Sequence, residues 1–271
     1  MTTTTPSLRA AVIGVGAMGR HHARVYTALP TTTLVGVADA DAERAHDIGT
    51  TYGVPAFTDY RALLEEQAPD LVTVAVPTSL HLPVASDALE SGAHVLIEKP
   101  IAGSVADAQA LIDCAARLDR KLMVGHIVRF DPAIQALKHH LDQGELGRIF
   151  QIVCRRVGPF PARVRDVGVV IDLAPHDLDV MRFVSGDEPE RVYAETQQEI
   201  HTAHEDMMTG LIHFAGGLTG MLEINWLTPT KVRDVTVLGE RGMFRVDSLT
   251  KDLYFYENAQ ANGEMWSALE M

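Results

Sequence analysis

Two short stretches of this chain carry side chains suited to moving a proton. In VVIDLAPHDLDVMRF, Asp172 and His176 are four residues apart, so a helix places them on one face. A carboxylate beside an imidazole orients the ring and stabilises its charged form, which suits reversible proton transfer at a hydroxyl. Pro175 is tolerable only in the first turn of a helix, so His176 is expected near the helix start. The competing reading is a structural pair, with Asp177 and Asp179 capping or pairing on the surface. In GAHVLIEKPIAG, Glu98-Lys99-Pro100 follows an apolar strand. Ligands of doubly wound sheets sit at the carboxyl ends of strands, so Lys99 is aimed at that crevice. A surface lysine in a turn is the alternative.

A third stretch is suited to holding a dinucleotide. GVGAMG, comprising Gly14, Val15, Gly16, Ala17, Met18 and Gly19, follows a strand and opens a helix. Asp39 stands twenty residues after Gly19, at the end of the next strand. That context completes the dinucleotide fingerprint. Gly14 permits the tight turn, Gly16 lets backbone approach a pyrophosphate, and Gly19 lets helix and strand pack closely. The helix N-terminus offers N–H groups and a positive dipole end to the phosphates. Asp39 accepts hydrogen bonds from a ribose diol and repels a 2′-phosphate, which favours NAD over NADP. Arg44 is close enough in sequence to blur that choice, and FAD can use the same fingerprint.

Positive charge gathers in one place. RRVGPFPARVRDVG holds Arg155, Arg156, Arg163 and Arg165, four arginines within eleven residues. Lys231 and Arg233 make a second basic spot. A free polyol has no need of such charge, whereas arginine forks match the oxygens of a diphosphate. Surface pairing with the excess carboxylates is the competing account. His201 and His204 precede Glu205 and Asp206, but no second ligand pair accompanies them, so no metal site is expected.

The elements that must position these groups fall into two parts. Strands are expected at Ala10–Ile13, Leu34–Ala38, Leu71–Val76, His94–Ile97 and Lys121–Val124. Helices are expected from Arg20 to Leu29, after an Asp59 cap, after a Ser79 cap, and after Ser104. The Ser104 helix should bury Val105, Ala108, Leu111, Ile112, Ala115 and Leu118. This alternation predicts a Rossmann domain over residues 1–125, an α/β doubly wound parallel sheet. Residues 126–271 then read as an α+β substrate-binding and oligomerisation domain. Its helices begin at Asp131-Pro132 and span Asp172–Val184. Its strands are Phe150–Arg156, Arg191–Gln197, Met208–Phe214, Thr219–Trp226, Val232–Leu238 and Met243–Val246, forming a large, mostly antiparallel sheet.

Composition excludes several classes. Lys and Arg number 23 against 36 Asp and Glu, a net charge of −13, so the chain has no general attraction for nucleic acid or anionic membrane. No apolar run is long enough to span a bilayer, and MTTTTPSLR lacks the apolar core of a signal peptide. The two cysteines form no metal or redox spacing. A cytoplasmic protein without disulfides is expected.

GVGAMG, PTSLH, EKP, GHIVRFDP and the Asp172/His176 helix together resemble the Gfo/Idh/MocA oxidoreductase family over nearly the whole chain. The resemblance implies NAD as cofactor and Lys99, Asp172 and His176 as the catalytic trio. His176 is then the general acid/base on the reacting hydroxyl, Asp172 orients it or contacts substrate, and Lys99 stabilises the oxygen charge. The resemblance also implies that Pro77, Thr78 and His81 line the nicotinamide end. Glu98 joins Gly14, Gly16, Ala17, Met18, Gly19, Asp39 and Lys99 at the cofactor. His126, Arg156, Arg163 and Arg165 join Asp172 and His176 at the substrate. Members that oxidise the 3-hydroxyl of UDP-N-acetylglucosamine are the nearest in pattern, so a UDP-sugar is the expected substrate. A cyclitol or free-sugar dehydrogenase, or an NAD-binding sensor without catalysis, are the alternatives. The family's large sheet implies a homo-oligomer, a dimer or tetramer. Similar proteins run a few tens of residues further, so the C-terminal tail reads as shortened.

Overall fold

The computed structural model describes residues 7–161, 167–200 and 203–258. The chain divides into two units after His126.

The first unit alternates strand and helix. In order it holds β1 (Leu8–Ile13), α1 (Gly19–Ala28), β2 (Thr32–Ala38), α2 (Ala42–Tyr52), β3 (Ala56–Phe57) and α3 (Tyr60–Gln67). Then follow β4 (Leu71–Val74), α4 (His81–Glu90), β5 (His94–Ile97), α5 (Val105–Arg117) and β6 (Leu122–Val124). All six strands are parallel in the order β3-β2-β1-β4-β5-β6, the doubly wound arrangement. Residues such as Ala11, Val12, Val72, Val74, Val95 and Ile97 are fully buried, as expected of strands covered on both faces. The strand order reverses between β1 and β4. Gly14 follows the first of these and Pro77 the second, so the glycine turn lies at the switch point.

Local chemistry explains most helix ends. Asp41, Asp59 and Ser104 accept hydrogen bonds from the N–H groups of Arg44, Arg61 and Asp107, each satisfying a donor the helix leaves open. Ser79 does not cap α4. A 3-10 turn at Thr78–Leu80 intervenes, and Leu80 is the uncapped N-cap. The expected stripe of α5 is narrower than predicted: Leu111 and Ala115 are buried, whereas Val105 and Ile112 are exposed. Helix α2 and the two-residue β3 had no counterpart in the sequence reading. Ala45 and Gly49 of α2 are buried and Ile48 and Tyr52 pack half-buried against the core, so its inner face mixes small and large residues.

The second unit is α+β. It holds α6 (Pro132–Asp142), β7 (Ile149–Pro159), α7 (Val169–Ser185), β8 (Pro189–Gln197), β9 (Met207–Phe214) and β10 (Thr219–Asn225). The sheet is completed by β11 (Leu227–Gly239), β12 (Gly242–Asp247) and β13 (Asp252–Glu257). Seven strands run in the order β13-β12-β11-β7-β10-β9-β8, antiparallel except for β7 beside β10. Ile152, Cys154, Leu222, Ile224, Val235, Val237, Phe244 and Val246 face one way and pack with Ile134, Leu137, Val180, Met181 and Val184 of α6 and α7. Among the described residues no helix is long and apolar enough to cross a membrane. Both cysteines are free, Cys154 being buried.

Candidate active site

In the first unit the singled-out residues collect at the carboxyl ends of the parallel strands. Gly14 adopts φ +85°, and a Cβ there would lie 2.6 Å from the Ala75 carbonyl oxygen. A Cβ on Gly19 would lie 1.7 Å from the Gly14 carbonyl oxygen. Both glycines are therefore required by the protein itself. Gly16 differs: a Cβ there would meet no protein atom within 4 Å. The space a side chain would fill is left open at the point where a pyrophosphate must approach. Helix α1 has no side-chain cap and no acidic residue in its first turn, so its N-terminus keeps its positive end. Ala17 and Met18 are exposed beside it. These features fit a bound dinucleotide.

Asp39 is tied to this loop. Its Oδ2 accepts the Val15 N–H at 2.9 Å and its Oδ1 accepts the Asp41 N–H at 3.0 Å. Arg44 donates to both carboxylate oxygens of Asp39, at 3.1 and 3.3 Å, and to Asp41 at 3.0 Å. The ambiguity over Arg44 is thus resolved by geometry: its guanidinium is held between two carboxylates, which a 2′-phosphate would have to face.

The Lys99 turn is held on both flanks by histidines. The Glu98 N–H donates to the Val74 carbonyl, extending the ladder past β5. Glu98 Oε1 lies 2.8 Å from His22 Nε2, and Oε2 accepts the Lys99 N–H at 3.3 Å. The Lys99–Pro100 peptide is cis. Beyond it, His81 is buried, with Nδ1 at 2.9 Å from the Pro100 oxygen and 3.2 Å from the Ile101 oxygen. Its Nε2 is 3.0 Å from the Val76 oxygen. His81 thus joins the β4 loop to the β5 loop through backbone oxygens. Thr78, Glu98 and Lys99 are half-buried and Pro77 is exposed. His126 is half-buried just past β6, where its N–H bonds the Val124 oxygen. The sequence reading missed His22. Its signal was the G-x-x-H spacing from Gly19, which puts it one helical turn past the phosphate loop.

In the second unit, Asp172 and His176 are both half-buried on α7. The helix begins at Val169, earlier than predicted, so Pro175 lies in its second turn and not its first. Glu205 makes this start possible. Its backbone oxygen accepts the Val169 N–H at 2.9 Å and its Oε1 accepts the Val170 N–H at 3.2 Å. Asp177 and Asp179, read as surface groups, are buried. Arg156 grips Asp177 through Nε and Nη2 at 2.8 and 2.7 Å, and Arg129 grips Asp179 at 2.7 and 2.5 Å. These forks fasten α7 to β7 and to the turn Ile127–Phe130. Burial presses the Arg156 guanidinium down, but the Asp177 charge and hydrogen bonds carry it above its ordinary value. Breaking such a buried pair on one side costs about 3–5 kcal/mol.

Two nitrogens of Arg156 are therefore occupied by Asp177, which makes it a brace between β7 and α7. Arg163 and Arg165 lie outside the described residues, as does His201. Arg155 pairs with Glu223 at 2.9 Å on the sheet. The acidic half of the supposed metal cluster has other work. Glu205 caps α7, and the buried Asp206 accepts N–H groups of Glu199 and Ile200. Among the described residues no group of three potential metal ligands is present.

Comparison with known proteins gives two domain matches. Residues 8–126 match the model of an oxidoreductase family with an NAD-binding Rossmann fold. Residues 134–245 match the GFO/IDH/MocA C-terminal domain. A UDP-N-acetylglucosamine 3-dehydrogenase of Acidithiobacillus ferrooxidans is 35% identical over 92% of this chain and 77% of its own length. An inositol 2-dehydrogenase of Rubrobacter xylanophilus is 31% identical over 88% of this chain and 71% of its own. A crystal structure of the Acidithiobacillus ferrooxidans enzyme superposes with a TM-score of 0.85, covering 93% of this chain and 81% of that one.

Proposed function

The chain belongs to the Gfo/Idh/MocA family of NAD-dependent oxidoreductases, and on that premise we propose that it oxidises the 3-hydroxyl of UDP-N-acetylglucosamine. The observation that carries the choice of substrate is the 35% identity to a dehydrogenase of that sugar over nearly the whole chain. Bound NAD supplies the hydride acceptor. His176 takes the proton of the reacting hydroxyl as general base and returns it in the reverse reaction. Asp172, one helical turn earlier on the same face, orients the imidazole and stabilises its charged form. Lys99 offsets the negative charge that develops on the substrate oxygen. Gly14, Gly16, Gly19 and the α1 N-terminus hold the pyrophosphate, and Asp39 holds the adenosine ribose. Glu98, Thr78 and Pro77 shape the nicotinamide end, with His22 and His81 fixing the turns that carry them. His126 contributes to the sugar site.

A second reading, an inositol or free-sugar dehydrogenase, is favoured by the 31% identity to an inositol 2-dehydrogenase. The reaction is placed in the cytoplasm, in a homo-oligomer formed through the open face of the seven-stranded sheet. The test is reduced-nicotinamide absorbance with NAD and a carbonyl trap, across UDP-N-acetylglucosamine, UDP-glucose, UDP-N-acetylgalactosamine and inositol. Turnover confined to the N-acetylated UDP-sugars is expected. Turnover with inositol alone would replace the first reading by the second.

A further inference from the structure

Strands β11 and β7 set two arginines directly opposite each other. Arg233 pairs in register with Arg156, on the sheet face that α7 covers. Like charges placed so are mutually destabilising unless something compensates them. For Arg156 the compensation is Asp177, bound as a two-pronged fork.

Among the described residues Arg233 has no such partner. Among the described residues, its hydrogen bonds come from Nη1 alone, to the Val157 oxygen at 2.6 Å and the Val232 oxygen at 2.7 Å. No carboxylate oxygen of the described residues lies within 4.0 Å of it. A guanidinium carries five N–H donors. Nη1 spends both of its own on carbonyls, at the place where the β11–β7 register shifts between Leu227 and Val232. That leaves Nε and Nη2, the edge whose parallel N–H bonds match a carboxylate or phosphate oxygen pair.

Burial, then the charge of Arg156, push Arg233 down to about 10, and Asp177 and Asp172 offset this only in part. Arg156 is forked to Asp177, the residue after His176, so the pair lies beside α7, which carries the proposed proton-transfer groups. The arrangement is a cation anchored by one nitrogen, with its bidentate edge uncommitted.

We propose that the Nε–Nη2 edge of Arg233 receives an oxyanion of the substrate. This deepens the reading of the second unit as substrate-binding and rests on it. With a nucleotide sugar the oxyanion is a phosphoryl group. With a sugar acid it is the carboxylate. A neutral polyol makes no use of it.

The test is isothermal titration of the NAD-loaded protein with UDP, inorganic pyrophosphate and glucuronate, on the wild type, Arg233→Gln and Arg233→Lys. UDP or pyrophosphate is expected to bind the wild type and to weaken at least ~10-fold in Arg233→Gln, about 1.4 kcal/mol. Arg233→Lys is expected to recover part of this, since lysine restores charge but not the fork. NAD affinity should be unchanged in both variants. If Arg233→Gln does not fold, the loss in Arg233→Lys, with NAD affinity intact, decides the matter. Binding of glucuronate but not UDP, lost on substitution, would keep the oxyanion site and discard the nucleotide-sugar reading. Equal binding in wild type and variants, or no binding of any probe to the wild type, would overturn the proposal.

Discussion

His176 and its neighbours divide the labour of α7 residue by residue. Asp172 and His176 are half-buried, while Asp177 and Asp179 are buried and held by Arg156 and Arg129. The proposed proton-transfer pair is thus mounted on a helix fixed at two points, which limits how far the imidazole can drift. Replacing His176 by Ala is expected to lower kcat by about 100-fold or more, as loss of a general base does. The Kd for NAD should stay within about twofold, because the dinucleotide fingerprint lies wholly in the other unit. Steady-state kinetics and a fluorescence titration of NAD check both. Equal loss of turnover and NAD binding would remove His176 from the proton-transfer role. Asp172/His176 and Lys99 could be proposed from the sequence because each sits in a short local pattern. His22 could not be, since its partner Glu98 is 76 residues away and only the fold brings them together. Nor could the brace that Arg156 makes, for the same reason: its partner Asp177 is 21 residues away, on another element.

At the scale of elements, the glycine turn between β1 and α1 separates what the fold needs from what the ligand needs. Gly14 and Gly19 are crowded by backbone, whereas Gly16 faces no protein atom. Gly19→Ala is expected to destabilise the first unit by several kcal/mol, since backbone must move to admit the methyl group. Gly16→Ala is expected to leave the melting temperature nearly unchanged while weakening NAD about tenfold or more. Thermal melts with and without NAD separate the two. A Gly16→Ala protein that binds NAD normally would contradict the assignment of that space to the pyrophosphate. Elements themselves were legible where periodicity or caps were strong, as at β1, β5, α3 and α5. They were lost where the inner face mixes small and large residues, as Ala45, Ile48, Gly49 and Tyr52 do in α2, or where a distant group supplies the cap. Glu205 starts α7 one turn earlier than Pro175 suggested, and no local pattern around Val169 announces it.

For the whole molecule, the remaining question is what the uncovered face of the second sheet does. Tyr193, Leu211, Met221, Val153, Thr236, Arg245 and Tyr254 lie in one cross-strand row on the face away from α6 and α7. Tyr193, Leu211, Met221 and Tyr254 are exposed. The run Tyr193, Leu211, Met221 and Val153 is apolar until Thr236 and Arg245 interrupt it, and such a run on a net-acidic chain suits burial against a second copy. Met221→Asp, at the middle of the row, is expected to convert the assembly to monomers, read by light scattering after gel filtration. A wild type that is already monomeric, or a variant of unchanged mass, would remove the sheet face as an interface. The central claim is hydride removal from one carbon of one sugar. Its most direct test is turnover of UDP-N-acetylglucosamine carrying deuterium only at carbon 3, with mass spectrometry of the reduced cofactor. Deuterium in the nicotinamide is the predicted result. Turnover that leaves the cofactor unlabelled, or no turnover by an NAD-loaded protein, would contradict it.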